Sequence, residues 1–90
     1  MLDIKFKNQS GFSLLERKIR FYFEEFMMKS GLEKADIDIT IDYEQRSYLM
    51  ELSYNGKTFK KNSYNPMHAA KEIKDSLSKT LKKEGLLKTN

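Results

Sequence analysis

The chain has 90 residues, of which 39% are hydrophobic and 33% are charged, and it contains no cysteine. This length fits one domain, and the composition is too apolar for a disordered chain and too polar for a membrane protein. Without cysteine the chain can form neither disulfides nor thiolate metal sites, so its stability must come from its core. No apolar run is longer than three residues, as at residues 26–28, which is too short for a signal peptide or a membrane helix, and we expect a cytoplasmic protein.

The net charge of +4 is unevenly distributed along the chain. Residues 31–45 contain one basic and five acidic residues, whereas residues 46–90 contain ten basic and four acidic residues. A basic surface attracts polyanions, because neutralising phosphates releases their counterions. The competing interpretation is that the excess lysines only keep the protein soluble.

The first two predicted elements are a short strand and a long amphipathic helix. Residues 2–7 alternate between apolar and polar side chains, which is typical of a half-buried strand. Ser13 and Glu16 match a capping box at the start of a helix that runs to about Lys29, and Gly31 fits its C-terminal cap. The apolar stripe of this helix consists of Leu15, Ile19, Tyr22, Phe23 and Phe26.

Three more strands are predicted after the first helix. Residues 36–43 and residues 46–54 alternate in the same way, and the following Asn55-Gly56 is the preferred pair for a two-residue type I′ turn. This turn predicts a hairpin, in which Lys61 lies opposite an apolar residue and must extend to the margin of the sheet. The predicted register pairs Tyr54 with Lys57, Leu52 with Phe59, Glu51 with Lys60, and Met50 with Lys61.

The last predicted element is a helix that begins at Asn65-Pro66. Asparagine is a good N-cap, and proline at the first helical position loses no hydrogen bond. The helix ends before Gly85, and we expect residues 86–90 to be a frayed tail beyond a single domain of residues 1–85. Its apolar side chains are Met67, Ala70, Ile73, Leu77 and Leu81.

The element order β-α-β-β-β-α predicts an α+β fold. Two striped helices and four strands with one apolar face form a two-layer sandwich, with a four-stranded sheet and both helices packed on one face. The other face of the sheet should be solvated, and its carboxylates would repel phosphates. These carboxylates are Asp3, Asp36, Asp38, Asp42 and Glu51.

No motif for catalysis, metal binding or phosphate cradling is present in the sequence. His68 is the only histidine, and no cysteine is available to complete a metal site with it. The four glycines are too scattered for a phosphate-binding loop. The aspartates of residues 36–42 alternate with isoleucines, as in any half-exposed strand. We therefore expect a protein that is not an enzyme, with no cofactor, no metal and no small-molecule substrate.

Basic residues on the two helices are the better candidates for a binding site. The lysines of the last helix lie beside its apolar stripe and on its outer face, in a row that could follow a phosphate backbone. Basic residues of the first helix would extend this surface if the helices lie side by side. The candidate RNA-binding residues are Lys71, Lys74, Lys79, Lys82, Lys83, Arg17, Lys18 and Arg20.

A second candidate surface consists of Leu14, Phe21 and Met28. These residues recur every seven positions on the first helix, away from its main stripe. They either pack against the second helix or form an exposed strip that contacts another protein.

The hairpin and the last helix resemble a known family. The residues concerned are the run Ser53-Tyr54-Asn55-Gly56-Lys57-Thr58-Phe59, the run Met67-His68-Ala69-Ala70, and the lysine-rich segment from Leu77 to Lys83. The sequence resembles the ribosome hibernation-promoting factors, also called sigma-54 modulation or ribosome-associated inhibitor proteins. The resemblance covers nearly the whole chain and is to the short form, which lacks a C-terminal dimerisation domain.

This resemblance implies binding in the decoding channel of the small ribosomal subunit, so that translation is silenced in idle or stressed cells. It implies that Lys79, Lys82 and Lys83 contact ribosomal RNA. Two alternatives stay open. One is a general double-stranded RNA-binding module, although the strand before the first helix argues against it. The other is a protein-interaction module that uses Leu14, Phe21 and Met28; the sequence does not decide the oligomeric state.

Overall fold

The computed structural model describes residues 1–7 and 12–85, so the predicted frayed tail at residues 86–90 lies outside the described residues. The order of the elements confirms the predicted α+β fold. The elements are β1 (Leu2–Lys7), α1 (Ser13–Lys29), β2 (Ile37–Glu44), β3 (Ser47–Tyr54), β4 (Lys57–Ser63) and α2 (Pro66–Lys83).

The four strands form one sheet in the order β1-β2-β3-β4. β1 pairs with β2 in parallel, because α1 crosses between them, and the other neighbours are antiparallel. The hairpin has the predicted register: Tyr54 pairs with Lys57, Leu52 with Phe59, Glu51 with Lys60, and Met50 with Lys61.

Two tight turns connect the antiparallel strands. In the β3–β4 turn Asn55 and Gly56 have φ angles of 53° and 80°, as a type I′ turn requires. The β2–β3 turn uses the same backbone region with Gln45 at 50° and Arg46 at 64°. This second tight turn has no sequence signal, because neither residue is one that favours positive φ.

The core lies between the sheet and the two helices. α1 packs on β1 and on α2, while α2 packs on β3 and β4. The apolar stripes are oriented as predicted, with Leu15, Tyr22 and Phe26 half-buried at the margin. Met27 is also buried, which the predicted stripe did not include. The largest fully enclosed side chains are Phe23, Ile19, Ile37, Ile39, Ile41, Met50, Leu52, Ile73, Leu77 and Leu81.

The two ends of α1 differ from each other in how well they were predicted. The capping-box prediction is wrong: the N-cap is Phe12, whose carbonyl accepts from the Glu16 N–H at 2.8 Å, and no side chain of residues 1–7 or 12–85 caps the helix. Phe12 is held there by its ring, which stacks on Phe6 with centroids 5.0 Å apart. At the other end, Gly31 has φ +74° and the Leu32 N–H donates to the Met27 carbonyl at 2.7 Å, which confirms the predicted glycine cap.

Candidate nucleic-acid interface

The start of α2 fixes which side of this helix faces solvent. Asn65 is the N-cap as predicted, and its Oδ1 accepts from the Met67 N–H at 3.0 Å and from the His68 N–H at 3.4 Å. From this start, Ala69, Ala70, Ile73, Leu77 and Leu81 are buried against the sheet. The lysines of α2 are therefore directed to its flanks and outer surface.

Four of the five candidate lysines of α2 are exposed, namely Lys71, Lys79, Lys82 and Lys83. From Lys71 to Lys82 the helix rises about 16 Å, so the group spans three turns. None of the four has a carboxylate within 4.0 Å among residues 1–7 and 12–85. We call these four residues the lysine surface.

The carboxylates of α2 are bound to other partners. Glu72 Oε2 lies 3.8 Å from Lys61 Nζ, and Glu72 Oε1 lies 2.5 Å from His68 Nε2. Glu84, just after the helix, forms an ion pair with Lys57 at the start of β4. Glu72 and Glu84 therefore pair with basic groups that do not belong to the lysine surface. The positive charge of the lysine surface stays available to a ligand.

Lys74 differs from the other lysines of α2. Its side chain is only 28% exposed, and its Nζ lies 3.0 Å from Asp75 Oδ1. The hydrogen bond to Asp75 raises the pKa of Lys74 above its ordinary value of 10.5, while partial burial opposes this effect. With Tyr22 and Lys29 it lines a shallow cleft of about 230 Å³ between the two helices. Lys74 is thus the least available of the predicted lysines.

The three basic candidates of α1 do not form one group. Arg17 and Lys18 are exposed. Lys18 lies one helical turn before Tyr22, on the side of α1 that faces α2, so it can extend the lysine surface. Arg20 lies on the opposite side, where its Nη1 donates to the Leu2 carbonyl of β1 at 3.1 Å. Arg17 lies one turn before Arg20, away from α2. The structure therefore brings only Lys18 of the three beside α2.

The outer face of the sheet carries the predicted carboxylates together with lysines. Asp3, Asp38, Asp42 and Glu51 lie on this face, whereas Asp36 precedes β2. Lys5 Nζ lies 3.8 Å from Asp3 Oδ2, and Lys60 Nζ lies 3.5 Å from Glu51 Oε1. Unlike the lysine surface, this face has mixed charge, and its carboxylates oppose the approach of a polyanion.

The apolar candidates of α1 lie outside the interface between the helices. Leu14, Phe21 and Met28 are 72%, 70% and 63% exposed, although each is a large apolar residue. The packing of α1 against the sheet and α2 leaves all three in contact with solvent.

Within residues 1–7 and 12–85, no group of three or more His, Cys, Asp or Glu residues is arranged to hold a metal ion. Neither α1 nor α2 combines the length and the apolar character needed to cross a bilayer, and these are the helices of the described part of the chain.

Comparison with known proteins shows the fold. No protein-family model matches the sequence, and no curated protein matches it either. The fold is similar to that of a solved structure, a ribosomal subunit interface protein from Coxiella burnetii, with a TM-score of 0.66 and 10% sequence identity. The similarity covers 93% of this chain and 96% of that chain. At this identity it is a likeness of the whole fold, and the sites must be argued from this chain's own residues.

Proposed function

We propose that this protein is a non-enzymatic ribosome-binding factor, which occupies the decoding channel of the small subunit and so silences translation. The observation that carries the proposal is the lysine surface of α2, whose charges are free of the helix's own carboxylates. It is supported by the fold shared with a ribosomal subunit interface protein. The sequence resemblance to hibernation factors points in the same direction.

The lysine surface suits the backbone of folded RNA better than a particular base sequence. Lysine ammonium groups are flexible point charges that neutralise phosphates without reading base edges. Lys79, Lys82 and Lys83 are within one turn of each other, and Lys71 and Lys18 extend the charge towards the other end of the helices, with Arg17 farther from α2 on the outer surface of α1. In this proposal these residues are the ones that contact ribosomal RNA.

In this proposal silencing is steric. A protein bound where mRNA and tRNA anticodons sit excludes both of them, and no bond is made or broken. The mixed outer face of the sheet would be directed away from RNA, because Asp3, Asp38 and Glu51 would lose favourable hydration near phosphates.

The first test is co-sedimentation with ribosomes and with isolated small and large subunits over a salt series. We expect pelleting with small subunits, and weakening as salt increases. The triple variant K79Q/K82Q/K83Q should bind more weakly and show a smaller dependence on salt, by a slope of about 0.7–0.9 for each phosphate that is no longer neutralised. The binding site is then located by chemical footprinting of the small-subunit RNA, with protection expected in the decoding channel.

A charge-matched control is K5Q/K7Q/K60Q, which removes three lysines from the outer face of the sheet. This control should bind small subunits as the wild type does. It should also inhibit protein synthesis in a translation extract to the same extent as the wild type. Equal loss in both triple variants would show that binding depends on net charge rather than on α2. The proposal would be overturned if the wild type stays in the supernatant at low salt. It would also be overturned if the wild type binds duplex RNA as tightly as it binds small subunits.

A further inference from the structure

The outer surface of α1 carries an apolar line that the proposed function does not use. Leu14, Phe21 and Met28 are seven residues apart, so they follow one another along about 21 Å of helix. On a helix of 3.6 residues per turn they lie opposite Ile19 and Phe23, which are buried against the sheet. We call these three residues the apolar strip.

The charged residues beside the apolar strip are arranged symmetrically about Phe21. Towards the N-terminus of α1 the flanking residues are Arg17 and Lys18, and towards the C-terminus they are Glu24 and Glu25. Arg17 and Glu24 share one side of the strip, and Lys18 and Glu25 share the other, because each pair is seven residues apart. Each side of the strip is therefore basic at one end and acidic at the other.

This pattern is complementary to itself when the helix is reversed. A two-fold axis through Phe21, perpendicular to α1, brings Leu14 of one copy next to Met28 of the other. The same axis places each side of the strip next to the same side of the second copy. The N-terminal end of that side in one copy then lies beside its C-terminal end in the other. It therefore places Arg17 near Glu24 of the second copy, and Lys18 near Glu25 of the second copy. A parallel arrangement would instead place like charges together.

We propose that the apolar strip binds a second copy of this chain, in an antiparallel α1–α1 dimer with Phe21 at the two-fold axis. The contact is isologous, so it closes as a dimer and does not extend into a fibre. A seven-residue repeat drifts by about 20° per heptad on a straight helix, which favours a shallow crossing angle of about 20°.

The same geometry limits the affinity of this dimer. Two helices that meet along about 21 Å bury less accessible surface than a standard protein–protein interface, which buries about 1,200 Å² or more. Glu25 must also share its carboxylate, since its Oε1 lies 2.8 Å from Lys29 Nζ within the same helix. Both α2 helices lie on one side of the dimer, where their exposed lysines repel each other. The dimer is therefore weak and depends on concentration.

Dimerisation would have a consequence for the candidate RNA-binding residues. Arg17 and Lys18 would be paired with glutamates of the second copy, whereas the lysine surface of α2 would remain unpaired. Self-association and RNA binding would thus compete only for the basic residues of α1.

The test is sedimentation equilibrium of the purified protein over a concentration series extending into the hundreds of micromolar. The wild type should show a monomer–dimer equilibrium. Phe21→Ser should weaken it by about tenfold or more, because the aromatic ring at the centre of the interface is removed. Since Phe21 is 70% exposed, this variant should keep the circular dichroism spectrum and the unfolding midpoint of the wild type.

Charge exchange tests the antiparallel pairing itself. Arg17→Glu and Glu24→Arg should each weaken self-association by about tenfold, since each places like charges opposite each other in the homodimer. An equimolar mixture of the two single variants should recover association, and so should the double variant R17E/E24R. The charge-matched controls K7E and D38R, on the outer face of the sheet, should behave as the wild type does.

A wild type that is monomeric throughout the series would overturn the proposal. Single charge variants that associate like the wild type, or a mixture that does not recover association, would also overturn it. No ribosome is present in these measurements, so their outcome is independent of the co-sedimentation result.

Discussion

Lys61 Nζ of β4 lies 3.8 Å from Glu72 Oε2 of α2, although the register places Lys61 opposite the buried Met50. The lysine reaches the margin of the sheet by extending along its apolar stem, as its position in the sequence predicts. This ion pair joins the edge strand to the helix that carries the lysine surface.

Glu72→Gln should destabilise the protein only slightly and should increase its affinity for polyanions. The pair is half exposed, so we expect the free energy of unfolding in urea to fall by less than about 1 kcal/mol. Removing the carboxylate leaves Lys61 and His68 without this partner and adds positive charge beside the lysine surface. Retention on immobilised duplex RNA should therefore extend to higher salt. Asp38→Asn, with the same charge change on the outer face of the sheet, should leave retention unchanged.

Asn65→Ala should cost about 0.5–2 kcal/mol of stability, because the two N–H groups that Asn65 Oδ1 accepts from lose their partner. Ser13→Ala is the matched variant on α1, where no side chain in the described part of the chain caps the helix. It should change the unfolding free energy by less than about 0.5 kcal/mol. Urea unfolding of both variants measures the difference, and a larger loss for Ser13→Ala would show that a capping box forms in solution.

The double variant Q45N/R46G should stabilise the protein. Gln45 and Arg46 occupy positive φ, where side chains other than those of asparagine, aspartate and glycine are strained. Asn-Gly in the β2–β3 turn reproduces the sequence of the β3–β4 turn, and we expect a gain of about 0.5–2 kcal/mol in the unfolding free energy. The inverse change in the other turn, Gly56→Ala, should be destabilising, because Gly56 has φ +80°. A gain in both variants would contradict this explanation.

The contribution of Lys74 to stability should disappear at alkaline pH. Because its pKa is raised on folding, the folded protein binds this proton more tightly than the unfolded chain does. The resulting stability is present in full below pH 10.5 and is lost as the pH rises through the folded-state pKa. The difference in unfolding free energy between the wild type and Lys74→Gln should therefore narrow above pH 10.5. Arginine stays charged above pH 10.5, so the difference in unfolding free energy between Lys74→Arg and Lys74→Gln should not narrow in that range.

Most of the fold could be predicted from the sequence, because the strands and helices follow from local periodicity. The Asn55-Gly56 turn sets the register of the hairpin, and the alternation in β3 fixes which face is buried. α1 begins at Ser13 as predicted, but its cap was mispredicted, because packing of the Phe12 ring on Phe6 overrides a local capping signal. The Gln45-Arg46 turn could not be predicted for a similar reason: pairing of β2 with β3 imposes a conformation that neither residue prefers.

The candidate site was less accessible to prediction. Helical periodicity places the lysines of α2 outside the core, and their exposure follows from it. Which charges are neutralised depends on contacts between elements, such as that of Lys57 in β4 with Glu84 after α2, or on rotamers, such as that of Lys74 beside Asp75. The exposure of Phe21 likewise depends on how α1 is rotated against α2.

The hydrogen bond from Arg20 to Leu2 has a consequence for the behaviour of the protein at high concentration. The Ile37 N–H donates to the Met1 carbonyl, so the next carbonyl along β1, that of Leu2, is directed away from β2. It belongs to the unpaired edge of the sheet, which could otherwise template strand addition by another chain. The guanidinium of Arg20 occupies this carbonyl, and the lysines of β4 protect the opposite edge. We therefore expect neither edge strand to pair readily with another chain when the protein is concentrated.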